Sequence, residues 1–142
     1  RYSLLFRQWE RDLFPLCLEE GVGIICFSPL AGGLLSGKYR PDQPPAPDTR
    51  FGLHEFSSRM YWHDAEFASI HELSAVAEEL GIELATLAIA WTLHQPAITA
   101  PIIGATKIDH LESAIAALDL KLTTEEIKTL EKPYRPHAVR GF

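Results

Sequence analysis

The chain has 142 residues, 46% of them hydrophobic and 23% charged, with 13 Lys and Arg against 19 Asp and Glu and a formal net charge of -6. That is the composition of one globular domain or less. A net acidic chain with no run of basic residues lacks the concentrated positive patch that nucleic acid or an anionic membrane surface requires, so neither is expected as a partner.

The chain opens on Arg1-Tyr2-Ser3 with no methionine and runs directly into helical pattern, which reads as the later part of a longer protein. From Leu5 to Glu20, Phe6, Trp9, Leu13, Leu16 and Cys17 recur at three-and-four spacing, which predicts an amphipathic helix closed by Gly21. Pro15 must bend that helix or sit where a carbonyl is already free. The continuous apolar run Val22 to Phe27, bounded by glycine and Ser-Pro, predicts a strand covered on both faces, as in a parallel sheet.

Next comes "FSPLAGGLLSGKYR", Phe27 to Arg40, which places three glycines and a lysine after that strand. Between about residues 39 and 62 the composition turns to Pro41, Pro44, Pro45 and Pro47 among Asp42, Gln43, Asp48 and Thr49. A disordered linker is one reading. The presence of Arg50, Phe51 and Phe56, within a single α/β pattern, favours an ordered excursion over a barrel mouth.

Ile70, Leu73, Val76 and Leu80 predict a second helix ending at Gly81. Leu84 to His94 is apolar almost all round and predicts a buried third helix, which Gln95-Pro96 ends. Ala100 to Ile103 predicts a short buried strand, and Gly104-Ala-Thr-Lys107 the loop after it. Asp109 to Leu118 predicts a helix facing inward through Leu111, Ala114, Ile115 and Leu118. Thr123 with Glu126 is a capping box for a last short helix, and the tail from Lys132 is loop.

This order makes an α/β protein, yet two parallel strands leave open edges and bury too little to stand alone. Further strands are therefore expected beside them. Both strands run into a glycine-containing loop with a nearby lysine, the arrangement by which the last two loops of a (β/α)8 barrel bind phosphate. Bare backbone at Gly32, Gly33 and Gly104 lets amide N-H groups approach an anion, and Lys38 and Lys107 add full charge. Each glycine taken singly can instead serve a tight turn.

These residues resemble the aldo-keto reductases. "FSPLAGGLLSGKYR" is similar to the loop after the seventh strand of that family's barrel, and "PIIGATKIDHLESAIAALDLKLTTEEI" to its eighth strand, eighth helix and following segment. "RDLFPLCLEEGVGII" is similar to its sixth helix and seventh strand, and "LATLAIAWTLHQP" to the helix before the eighth strand. The resemblance spans essentially the whole chain. It implies that residues 1–142 are the C-terminal portion, about the last two strands with their helices, of a single (β/α)8 TIM barrel domain that is incomplete as given.

It also implies NADP as cofactor and a small-molecule aldehyde or ketone as substrate, reduced by hydride transfer. Phe27 occupies the position whose ring stacks on the nicotinamide. Ser28, Pro29, Leu30, Gly32 and Gly33 belong to the turn along the pyrophosphate, and Lys38 and Arg50 to the cations folded over it. Gly104, Thr106 and Lys107 match the surroundings of the adenosine 2'-phosphate, where a lysine argues for NADP over NAD, and His110 is placed to touch that phosphate or the adenine. At His110 and at Ser113-Ala114 the chain departs from the family's commoner residues. The catalytic tyrosine, aspartate, lysine and histidine of the family match no position here, so no catalytic residue is assigned and residues 1–142 by themselves are expected to be inactive.

Two other readings stay open. One is a nucleotide-sensing regulatory subunit of the same family, like those that act on ion channels. The other is a barrel enzyme that grips a phosphosugar. Cys17 and Cys26 are read as core residues in place of a disulfide or metal pair, and His54, His63, His71, His94 and His137 as surface or loop residues without ligand spacing. Reduced cysteines, no cleavable signal and no apolar run near the ~18 residues of a membrane span suggest a cytoplasmic protein, for which an oligomer is possible.

Overall fold

The computed structural model describes residues 1–136 and Ala138. His137 lies outside the described residues. The described chain is mixed α/β, with β1 (Ile24–Phe27) and β2 (Ile98–Ile102) paired side by side and parallel. Helices make up the rest of the regular structure, an arrangement compatible with part of a (β/α)8 barrel.

The helix expected from Leu5 to Glu20 is interrupted. Tyr2, Leu4, Leu5 and Phe6 are all at most 5% exposed, and a helix would turn some of four such near-consecutive positions to solvent. The segment instead folds on itself, the Ser3 and Phe6 amides each donating to the other's carbonyl at 3.2 and 3.0 Å. Residues Gln8–Glu10 form a 3-10 turn, and α1 covers only Leu13–Glu19, its start capped by the Asp12 carboxylate accepting from the Leu13 amide. Pro15 falls in the first turn of α1, where an amide has no intrahelical partner, so no bend is needed. Gly21, at φ 66°, follows the end of the helix.

In the sheet, Ile24 pairs with Ile98 but Ile25 with Ala100, which leaves Thr99 as an extra residue on β2. A Cβ at Gly23 would stand 2.6 Å from the Thr99 hydroxyl, so the glycine makes room for this irregularity. Only one face is covered. Cys26 is buried, whereas Ile25, Phe27 and Ile102 are each more than half exposed. The expectation of burial on both faces therefore fails within the described residues, because no element packs on the second face; an apolar run alone does not report that.

Helix α4 (Asp64–Leu80) ends at Gly81 in the left-handed conformation, with the Ile82 amide donating back to the Ala77 carbonyl at 3.0 Å. Helix α5 (Leu84–Leu93) is the centre of the core: Leu87, Ala88, Ile89, Ala90 and Trp91 are at most 2% exposed. Its all-round apolar character, and the burial predicted from it, follow from contact with β2, α4 and the succeeding α6 (Ile108–Asp119) at once.

The inward face of α6 differs from expectation. Ala117 is buried and Ala114 half-buried, but Leu111, Ile115 and Leu118 are 45–61% exposed. Small residues allow α6 to lie close to α5, and the larger apolar row points to the side where no described element stands. The Ser113 hydroxyl donates to Glu83 at 3.0 Å and Thr86 donates to the Ser113 carbonyl at 3.2 Å, pinning the two helices together.

The predicted capping box opens α7 (Thr124–Glu131): Thr123 accepts from the Glu126 amide and Glu126 accepts from the Thr123 amide and hydroxyl. These donors hold the Glu126 carboxyl below its ordinary range. A depressed folded-state value stabilises the helix above the unfolded pKa and loses that contribution as pH falls through the folded one. Thr123→Ala is expected to lower the melting temperature at neutral pH, with the deficit shrinking as the solution is acidified below about pH 4. A deficit independent of pH would contradict the assigned hydrogen bonds.

The segment from Tyr39 to Trp62 is helical in its second half. It carries α2 (Arg50–Leu53) and α3 (Glu55–Tyr61) and gathers Tyr39, Phe51, Trp62 and the neighbouring Phe67 into edge-to-face contacts at 4.8–5.5 Å. The Thr49 hydroxyl accepts from the Gly52 amide and donates to the Ala46 carbonyl, closing the proline-rich stretch onto α2.

Candidate cofactor site

Phe27 is directly opposite Ile102 in adjacent parallel strands, so the two glycine-containing segments leave the sheet at the same end and side by side. Phe27 is 54% exposed and its carbonyl accepts from the Tyr2 amide at 3.1 Å. The chain then turns sharply. Ser28 has φ 59° and Ala31 φ 50°, left-handed values that cost a residue with a Cβ about 1–2 kcal/mol each. Pro29 between them is buried, and Leu30 precedes a 3-10 stretch, Ala31–Ser36, broken by Gly32 and Gly33 at φ 71° and 102°. Strain of this kind in non-glycine residues gathers at functional turns and persists only where the surroundings enforce it.

The three glycines singled out from sequence have different surroundings. A Cβ on Gly32 would lie 3.3 Å from the Phe51 ring and 3.4 Å from that of Tyr61, so its bareness serves packing beneath the aromatic cluster as well as the turn. One on Gly33 would be 3.8 Å from Tyr39 and 4.0 Å from the Lys38 ammonium. Around Gly104 nothing lies within 4 Å, and the backbone there is open to an approaching group. The Gly33 and Gly104 backbones are thus the more accessible of the predicted set.

The cations are exposed. Lys38 sits with its ammonium 5.1 Å from the Tyr39 ring centre, and Arg50 is the first residue of α2. Thr106 and Lys107 are exposed just before α6, and Lys107 occupies its N-cap in extended conformation with no side-chain cap bond. The first amides of α6 therefore keep unused donors and the positive end of the helix dipole beside that lysine. His110 is exposed in the next positions of the helix. An open groove of about 590 Å³ lies elsewhere, between α5 and α6, lined in part by Glu83, Glu112 and Asp119. Its acidic wall is unsuited to a phosphate and belongs to neither strand exit.

A cluster that the sequence did not reveal stands behind the Phe27 exit. The Arg7 guanidinium reaches Glu10 with two nitrogens at 2.8 Å and Glu131 at 3.1 Å. Glu10 accepts from the Tyr2 hydroxyl, and Glu131 from the Trp91 indole at 3.1 Å. Burial, reinforced by the hydrogen bond to Glu10, pushes the Tyr2 phenol well above its usual range. The spacing of Arg7 and Glu10 hints at a local pair, but nothing in the sequence connects either to Trp91 or Glu131.

Among the described residues no three His, Cys, Asp or Glu side chains are arranged to hold a metal ion, and no helix is long and apolar enough to cross a membrane. Cys26 is buried in β1 and Cys17 half-buried on α1, both as free thiols. His54 and His71 are exposed, but His94 departs from the surface reading. One of its ring nitrogens lies 2.8 Å from the Ala90 carbonyl and the other accepts from the Leu122 amide at 3.2 Å, joining α5 to the segment before α7.

The sequence profile of the Aldo/keto reductase family matches residues 1–135, nearly the whole chain. The chain belongs to the aldo/keto reductase family. A Schizosaccharomyces pombe protein provisionally named an aryl-alcohol dehydrogenase is 36% identical over 141 residues, 99% of this chain and 38% of that protein. Versiconal hemiacetal acetate reductase of Aspergillus parasiticus is 35% identical over 138 residues, covering 97% of this chain and 40% of that enzyme. A protein of Oryza sativa subsp. japonica, provisionally named a voltage-gated potassium channel subunit beta, is 36% identical over 149 residues, 98% of this chain and 45% of its own length. This aldo/keto reductase chain therefore spans roughly two fifths of the curated relatives it matches.

Proposed function

We propose that this chain forms the cofactor-holding wall of an NADP-dependent oxidoreductase that reduces aldehydes or ketones. The observation that carries the reading is the pairing of Phe27 with Ile102, which sends the two glycine-containing segments away from one end of the sheet together. Family membership and the reductase among its relatives support the reaction class. The residues around the exits suit a dinucleotide: a half-exposed aromatic ring, an open glycine backbone, exposed cations and uncapped helix amides.

In this reading Phe27 offers a flat apolar face to the nicotinamide. Ser28 to Gly33 form the turn along the pyrophosphate, with Lys38 and Arg50 supplying positive charge from the excursion. Gly104, Thr106, Lys107 and His110 surround the adenosine 2'-phosphate. The chemistry that the cofactor supplies when bound is hydride donation to a carbonyl carbon. No residue of this chain is assigned as proton donor, and its role is to hold and orient.

In the full-length protein, Lys107→Met is expected to weaken NADPH about tenfold or more and NADH by much less, a difference of roughly 1.4 kcal/mol, measured by fluorescence titration of each. Equal loss for both cofactors would contradict the 2'-phosphate contact. The rice relative favours a second reading, a nucleotide-sensing regulatory subunit. Tight NADPH binding with no turnover across a broad panel of carbonyls would select it, whereas binding of a sugar phosphate without NADPH would overturn both.

A further inference from the structure

The Arg7 cluster lies outside every residue assigned to the cofactor, yet it is joined to one of them through a short chain of contacts. Arg7 is largely buried, its side chain 12% exposed, and it is shared between Glu10 and Glu131. Burial alone would disfavour its charge, but the Glu10 hydrogen bond and the two carboxylates more than offset that. Glu10 holds the Tyr2 hydroxyl, the Tyr2 ring stacks on Trp91 at 5.3 Å, and Trp91 donates to Glu131, so the contacts close a ring around the guanidinium. Arg7 also lies 5.3 Å from the ring centres of both Trp91 and Tyr134. From this ring the Tyr2 amide reaches out to the carbonyl of Phe27, the last residue before the left-handed turn at Ser28.

A stabilising ion pair of this sort needs only two partners. Here one cation fastens three separate pieces of chain: the segment that bonds to the β1 exit, the central helix α5 and the final helix α7. Removing its charge leaves two partly buried carboxylates without their shared cation, and of the pieces it fastens the Tyr2 segment is the one that touches Phe27.

We propose that Arg7 is a positioning residue for the cofactor site: through Glu10 and Tyr2 it sets the backbone of Phe27 and hence the ring that faces the nicotinamide. This inference rests on the cofactor reading above for its functional half, but its structural half is independent of any cofactor. A remote charge cluster then controls one end of the dinucleotide only, because the Lys107 side of the site contains none of the cluster's partners.

The test uses the full-length protein with Arg7→Met, with Arg7→Lys as the conservative variant and Glu131→Gln as a milder one should the first not fold. Amide hydrogen exchange, without cofactor, is expected to speed up at Tyr2 by about tenfold relative to the α5 amides, as befits loss of charge-assisted bonds. NADPH affinity and the single-turnover hydride-transfer rate are expected to fall about tenfold, while adenosine 2',5'-bisphosphate, which lacks the nicotinamide, binds within about twofold of wild type; Arg7→Lys restores part of each loss. Unchanged Tyr2 exchange would overturn the proposal. A lowered melting temperature with NADPH affinity and hydride transfer intact would reduce the cluster to a structural role and overturn it equally. If wild type binds no NADPH, the cofactor reading fails, while the exchange result still decides whether Arg7 governs the strand exit.

Discussion

Replacing Trp91 by alanine is expected to lower the unfolding free energy by about 3–5 kcal/mol, among the largest losses that a single core truncation produces. Trp91 is fully buried, stacks on Tyr2, donates to Glu131 and lies beneath the Arg7 guanidinium. Alanine leaves a cavity at the centre of α5 and also strips Glu131 of a donor, so the transfer and polar penalties act together. Trp91→Phe keeps most of the apolar volume and removes the indole N-H, and about 1 kcal/mol is expected for it. Both are read from urea midpoints of the full-length protein at unchanged slope. Similar midpoints for the alanine and phenylalanine variants would mean that the burial of this residue is not what the structure describes.

Gly52→Ala should be the most damaging small change in the excursion. The glycine is not in a left-handed conformation; its restriction is distance, since a Cβ would lie 2.2 Å from the Ala46 carbonyl oxygen and 2.8 Å from Pro47 Cα. Both are backbone atoms that cannot rotate away, so either α2 or the proline-rich stretch must shift, at a cost of about 1–3 kcal/mol or local unfolding. The expected signs are rapid proteolysis within residues 40–53 and a loss of the Thr49 to Gly52 cap, with the α5 core intact. Because Gly32 packs beneath Phe51 and Tyr61, the disturbance should extend to the glycine turn. Protease resistance equal to wild type would show that the loop is not closed at this point.

Local pattern made much of the helical frame legible. The all-round apolar sequence of α5, the glycine after α4 and the capping box of α7 each state a physical requirement within a few residues, and each is met. Failures occur where the deciding partner is distant or lies beyond the described residues. The spacing from Leu5 to Glu20 reads as one helix, but Leu5 and Phe6 belong to a buried folded-back start, and that packing overrides the periodicity. Leu111, Ile115 and Leu118 form a proper amphipathic row, and the error lay in taking that row as the inward face among the described residues. For the candidate site, the two loops were legible because each sits next to its strand. Their adjacency required the pairing of β1 with β2, and the different surroundings of Gly32 and Gly104 required the aromatic cluster. The Arg7 cluster had no local signature beyond one pair of charges.

The pairing of Ile24 with Ile98 has a kinetic consequence. Half the chain's length must be closed into a loop before these two strands touch, whereas the helix–helix contacts of α4, α5 and α6 join near neighbours in sequence. The helical layer can thus assemble early and the sheet last, and substitutions in β1 should act mainly on the rate of unfolding. The strand exits that gather the glycine turns would then be the final part of this chain to take shape.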